Sequence, residues 1–105
     1  MAIKSEALIW LEYGKAISQA NELDRIASEM KNLAEGDFQN CLSSVASNWT
    51  GDNSRNYIRK GEKLKGDIDK SARQLQNIAK AIRNIAKRTR NADLRAREIA
   101  LSSGR

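Results

Sequence analysis

The sequence predicts an all-α protein, an antiparallel two-helix hairpin, and three observations carry that prediction. Proline is absent from all 105 residues. A heptad-spaced apolar seam runs along the second half, and one cluster of turn-forming residues interrupts the chain near its middle. Ala, Leu, Ile, Lys, Arg, Glu and Gln dominate, the residues that lose least on entering a helix. With 40% hydrophobic and 30% charged residues, the chain is too apolar to belong with disordered sequences. Residues 1–105 read as a single domain, small enough that a partner chain would add useful buried area.

Helix one is expected over about residues 15–47. Ala16, Ala20, Leu23, Ala27, Met30 and Ala34 form one apolar row, with Ile17, Ile26 and Leu33 beside it. The row resumes past Gly36-Asp37 at Phe38, Leu42, Val45 and Trp49, so that glycine is where the helix should kink or loosen. Gly14 reads as its start, leaving Ile3 to Tyr13 as an extra turn or arm whose Leu8, Trp10 and Leu11 pack on the body.

Residues 48–53 read as the turn, within the run Ser47-Asn48-Trp49-Thr50-Gly51-Asp52-Asn53-Ser54. Gly51 can adopt positive φ to close helix one, and Asp52 or Asn53 can cap helix two. A loop this short makes the helices antiparallel. Trp49 then packs across the open end of the hairpin.

Helix two is expected over about residues 54–99. Alternate steps of four and three from Tyr57 reach Gly61, Leu64, Ile68, Ser71, Leu75, Ile78, Ile82, Ile85, Thr89, Ala92, Ala96 and Ile99. This is a coiled-coil seam. The adjoining row Ile58, Ala72, Ala79, Ala86 and Ala100 widens the stripe enough to touch more than one helix. The alanines are expected to let another backbone approach, while Leu23, Met30, Leu64, Ile68, Leu75, Ile78, Ile82 and Ile85 supply most of the buried area in the hairpin or dimer seam. Such a helix would be on the order of 65 Å long, which calls for a bundle.

The chemistry of the side chains argues against an enzyme. There is no histidine, and Cys41 alone can form neither a Cys-His pair nor a zinc cluster. No cofactor or metal is expected. Gly61 and Gly66 have the spacing of a phosphate loop, but Asp67 stands where lysine is required. Asp67 and Asp69 are two apart on a helix and do not share a face. Neither a general secretory signal nor a membrane span is expected, because the apolar run from Ala7 to Leu11 is too short for either.

Trp49-Thr50-Gly51, at the midpoint of an all-helical chain of about a hundred residues, is similar to the motif that names the WXG family of small, ESAT-like proteins of bacterial type VII secretion systems. The resemblance covers nearly the whole chain. It implies a hairpin that dimerises into a four-helix bundle, with itself or with a paralogue, and export by the type VII secretion ATPase without a cleaved signal peptide. Such proteins are secreted substrates, and some escort a larger toxin. The family's export signal adds a Tyr-x-x-x-Asp/Glu motif near the end of helix two. Here the resemblance maps it onto Thr89 to Asp93, where Asp93 matches the acid and Thr89 departs from the tyrosine.

Charge is divided between the arms. Residues 1–51 hold four Lys/Arg and seven Asp/Glu, a net of −3, while residues 52–105 hold fifteen and six, a net of +9. Lys80, Arg83, Lys87, Arg90 and Arg97 form one basic stripe at helical spacing. A solvated face accounts for such a stripe, and attraction between the arms accounts for part of the asymmetry. The functional alternative is a basic helical protein that binds nucleic acid or an anionic membrane surface. The stripe lacks interleaved aromatics, which counts against nucleic acid.

Overall fold

The computed structural model describes residues 3–49 and 51–103, and among them the chain is helical almost throughout. Helix α1 spans Glu6–Leu33 and passes through a π-helical segment, Ala34–Phe38, into α2, Gln39–Asn48. Helix α3 spans Asp52–Ser103. The chain divides into two compact units: the described residues up to Leu23 with those from Asn77 onward, and Asp24–Gln76. Helices α1 and α3 each contribute to both.

From Glu6 onward the expected extra turn or arm at the amino terminus is instead part of α1. Ser5 starts the helix: its Oγ accepts a hydrogen bond from the Leu8 N–H at 3.1 Å, and its carbonyl accepts one from Ile9 at 3.0 Å. Glu6 adds favourable negative charge to the first turn. Gly14 is therefore a mid-helix residue, with a cost of about 1 kcal/mol against alanine. Burial of Ile9, only 1% exposed, offsets that cost by about 1.5–3 kcal/mol.

The expected loosening at Gly36-Asp37 takes a definite form in the π-helical segment. Buried Ala20, Ala27 and Ala34 follow one another at seven residues, but the next buried position in the series is Leu42, eight on. A wide turn absorbs the extra residue and returns Leu42 to the inner face.

In the first unit the packing is antiparallel: Lys4 reaches Asp93, and Arg83 donates to Asn21 Oδ1 at 2.8 Å. Its buried positions include Ile9, Ala20, Ala79 and Ala86. The second unit is antiparallel as well, with Lys31 Nζ donating to Gln76 at 3.2 Å and Lys65 Nζ donating to Gln39 at 2.9 Å. It buries Ala27, Ala34, Leu42, Ala72 and the hydroxyl-bearing Ser54. A Cβ at Gly61 would collide with the Leu42 side chain, so the seam glycine is the point of close approach in this unit.

At the end of α2, Trp49 leaves the helix in an extended conformation, φ −111° and ψ 143°, while its N–H still donates to Val45 at 2.9 Å. Thr50, the middle residue of the expected turn, lies outside the described residues. Gly51 has φ +97°. Its carbonyl accepts from the Arg55 N–H at 3.3 Å and from Ser54 Oγ at 3.1 Å, so Gly51 and Ser54 organise the start of α3. Asp52 and Asn53, the expected caps, are already helical. Gly51→Ala should lower stability by about 1–2 kcal/mol, the cost of a Cβ in left-handed backbone, as measured by urea unfolding.

Candidate functional site

Helix α3 sorts its apolar residues into three rows. Ala72, Ala79 and Ala86 are fully or almost fully buried, at seven-residue spacing. Next to them Gly61, Ile68, Leu75 and Ile82 are half-buried. The outermost row is exposed: Tyr57 56%, Leu64 51%, Ile78 49%, Ile85 60% and Ile99 57%, all in register at multiples of seven. The expected seam thus divides, because the small side chains are drawn inward. Leu23 and Met30 on α1 are half-buried too. Large residues were expected to supply the buried area, yet within this chain Leu64, Ile78 and Ile85 keep about half of their surface in water. An inner face of alanines lets helix backbones come close, and the bulkier residues then flank the contact.

In the second unit this exposed row borders an open apolar cleft of about 280 Å³. Phe38, Cys41, Leu42 and Val45 form one wall, with Tyr57, Gly61 and Leu64 opposite. Trp49 is 55% exposed, and its ring lies 5.8 Å from that of Tyr57 at a tilt of 44°. This indole is not part of the core. Cys41 is a free, exposed thiol.

The first unit contains a cluster that sequence reasoning missed. Lys4 Nζ lies 2.9 Å from Glu12 and 3.3 Å from Asp93. Hydrogen bonds to Glu12 and then Asp93 hold the Lys4 ammonium above its ordinary value of 10.5. The sign follows: the link is complete at neutral pH and is lost only as alkali removes the proton. Asp93, the acidic residue of the expected export motif, therefore already has a partner. Thr89, Asp93 and Tyr13 line one cleft of about 240 Å³, floored by Ile9, Ala16, Ile82 and Ala86. An aromatic ring from α1 thus stands beside Thr89.

The basic stripe is not uniformly solvated. Arg90 places its guanidinium 5.1 Å from the Trp10 ring centre and 4.6 Å from that of Tyr13, and Arg83 is bonded to Asn21. Lys80 and Lys87 are exposed, and Arg97 is half-buried. The aromatics absent from the stripe come from the other helix, a juxtaposition with no local signal in the sequence. Trp10 and Tyr13 also pack edge to face, at 5.9 Å and 88°.

Among the described residues, no group of three or more His, Cys, Asp or Glu is placed to hold a metal ion. No helix among them is long and apolar enough to cross a membrane. In the comparisons with known proteins, no family model matches the chain, and no curated protein or solved structure matches it either.

Proposed function

We propose that this chain is an interaction protein of the WXG type, a secreted substrate or export partner of a bacterial type VII system that docks on a second helical hairpin. The observation that carries the reading is the sorting of α3: alanines fill the inner face, while one large apolar residue per turn pair, Tyr57, Leu64, Ile78, Ile85 and Ile99, remains half-exposed. A face of this kind is the a/d-like surface that four-helix bundles bury. The second hairpin is another copy of the chain or a paralogue, and the assembled pair carries itself or a larger toxin to the secretion ATPase.

Two local features support the export part of this reading. Trp49 and Gly51 stand where α2 gives way to α3, with the indole half in water and free to be recognised. Asp93 and Tyr13 line one cleft, so an acid and an aromatic ring lie close together despite Thr89, Asp93 linked to Lys4 and Tyr13 lying under Arg90. Trp49→Ala tests the reading. Because Trp49 is 55% exposed, its removal should cost only about 1–2 kcal/mol of stability, less than half of what a buried tryptophan costs, while abolishing export from cells that carry the secretion machinery. A variant that keeps its helical circular dichroism and is exported at the parent's level would refute the assignment.

A further inference from the structure

The net charge of +6 is unevenly held. Among the described residues, the unit built from 3–23 and 77–103 has nine Lys/Arg against five Asp/Glu, a net of +4, whereas residues 24–76 have nine against eight, a net of +1. The same charged unit exposes Ile3 at 50%, Trp10 at 46% and Leu101 at 49%. Ile3 stands just before α1 and Trp10 in its second turn, so both belong to this end of the helix, beside the Lys4–Asp93 link. The basic stripe continues in step through Leu94, Arg97 and Leu101. Arg90, lying over Trp10 and Tyr13, brings the stripe against this end of α1.

We infer that this surface, with Lys80, Lys87 and Arg97 as its cations and Ile3, Trp10 and Leu101 as its apolar anchors, docks peripherally on anionic lipid bilayers. A tryptophan held level with cations, among exposed aliphatic side chains, suits the boundary between headgroups and acyl chains. Lipid phosphates supply the opposite charge. The second hairpin proposed above takes a different face, the uncharged row Tyr57, Leu64, Ile78, Ile85 and Ile99, and leaves these cations to another partner. Nucleic acid fits less well: Arg90 already occupies the rings of Trp10 and Tyr13 that bases would stack on, and Ile3 and Leu101 have nothing to gain from bases. The inference goes beyond the export reading and does not depend on it.

The test uses the full chain with Trp49→Phe, leaving Trp10 as the sole indole, and vesicles of phosphatidylcholine with or without roughly one-quarter phosphatidylglycerol at about 150 mM salt. Flotation with the anionic vesicles and a blue shift of Trp10 emission are expected, with neither on neutral vesicles. Lys80→Gln with Lys87→Gln should weaken partitioning about 25-fold, at roughly fivefold per charge near the surface. Lys60→Gln with Lys63→Gln, in the other unit, should change it less than about twofold. Equal binding to neutral vesicles, an unmoved Trp10 emission, an equal loss from the Lys60/Lys63 pair, or tighter binding to single-stranded DNA than to anionic vesicles would each overturn the inference. The parent's own vesicle response decides the matter even where a variant loses its helices, and no secretion step enters the readout.

Discussion

Replacing Ile78 and Ile85 together with aspartate should dissociate the proposed assembly while leaving the individual chain helical. Both side chains are half-exposed, at 49% and 60%, so the isolated chain makes little use of them. An interface that completed their burial would gain about 1 kcal/mol from each, taken as half of the 1.5–3 kcal/mol for a whole side chain. Aspartate removes that gain and adds the cost of desolvating a carboxylate without a partner, several kcal/mol more. Association should therefore weaken at least about a thousandfold, or more than roughly 4 kcal/mol. Light scattering against concentration measures this directly. The parent is expected at twice 11.7 kDa if it pairs with itself, and the double variant at 11.7 kDa with parental helicity. A parent that stays monomeric would move the partner role to a paralogue, and the same variant would then be tested for loss of that complex. A variant that keeps the parent's assembled mass would show that the exposed row is not the interface.

How much of this was legible in the sequence depended on whether the signal was local. The two long helices, the break near Gly51 and the loosening at Gly36 all followed from spacing, glycine and the lack of proline. The assignment of rows did not follow, because a heptad pattern says which residues share a stripe but not which edge of it faces the second helix. Ala20, Ala27 and Ala34 are inside, on the row expected for helix one. Side-chain size suggested that the Leu and Ile seam of helix two would supply most of the buried area, but on α3 it is Ala72, Ala79 and Ala86 that are buried, while Leu64, Ile78 and Ile85 stay about half in water. The start of α1 was misplaced for a related reason. Gly14 reads as a break by propensity, and burial of Ile9 overrides it, a tertiary effect with no local mark. The cluster around Asp93 was out of reach, since Lys4 and Asp93 are 89 residues apart and their pairing depends on the fold being complete.

The alanine face leads to the second large effect: Ala79→Leu should destabilise the chain far more than Ile85→Ala, although the first adds apolar surface and the second removes it. Ala79 is 0% exposed, so a larger side chain has no solvent to enter and must push the helices apart or adopt a strained rotamer. Such overpacking costs about 1–3 kcal/mol, and each kcal/mol corresponds to roughly 4–8 °C in a domain of this size. Ile85 keeps 60% of its surface in water, so truncating it should cost a single chain less than about 1 kcal/mol. The comparison needs a monomeric background, because the stability of an assembling chain varies with its concentration. With Ile78→Asp present throughout, thermal unfolding followed by circular dichroism should show a fall of about 4–24 °C for Ala79→Leu and a smaller fall, under about 8 °C, for Ile85→Ala. The reverse order would mean that the large seam residues, not the alanines, hold the helices together, and the exposed row would then lose its role as the surface left for a partner.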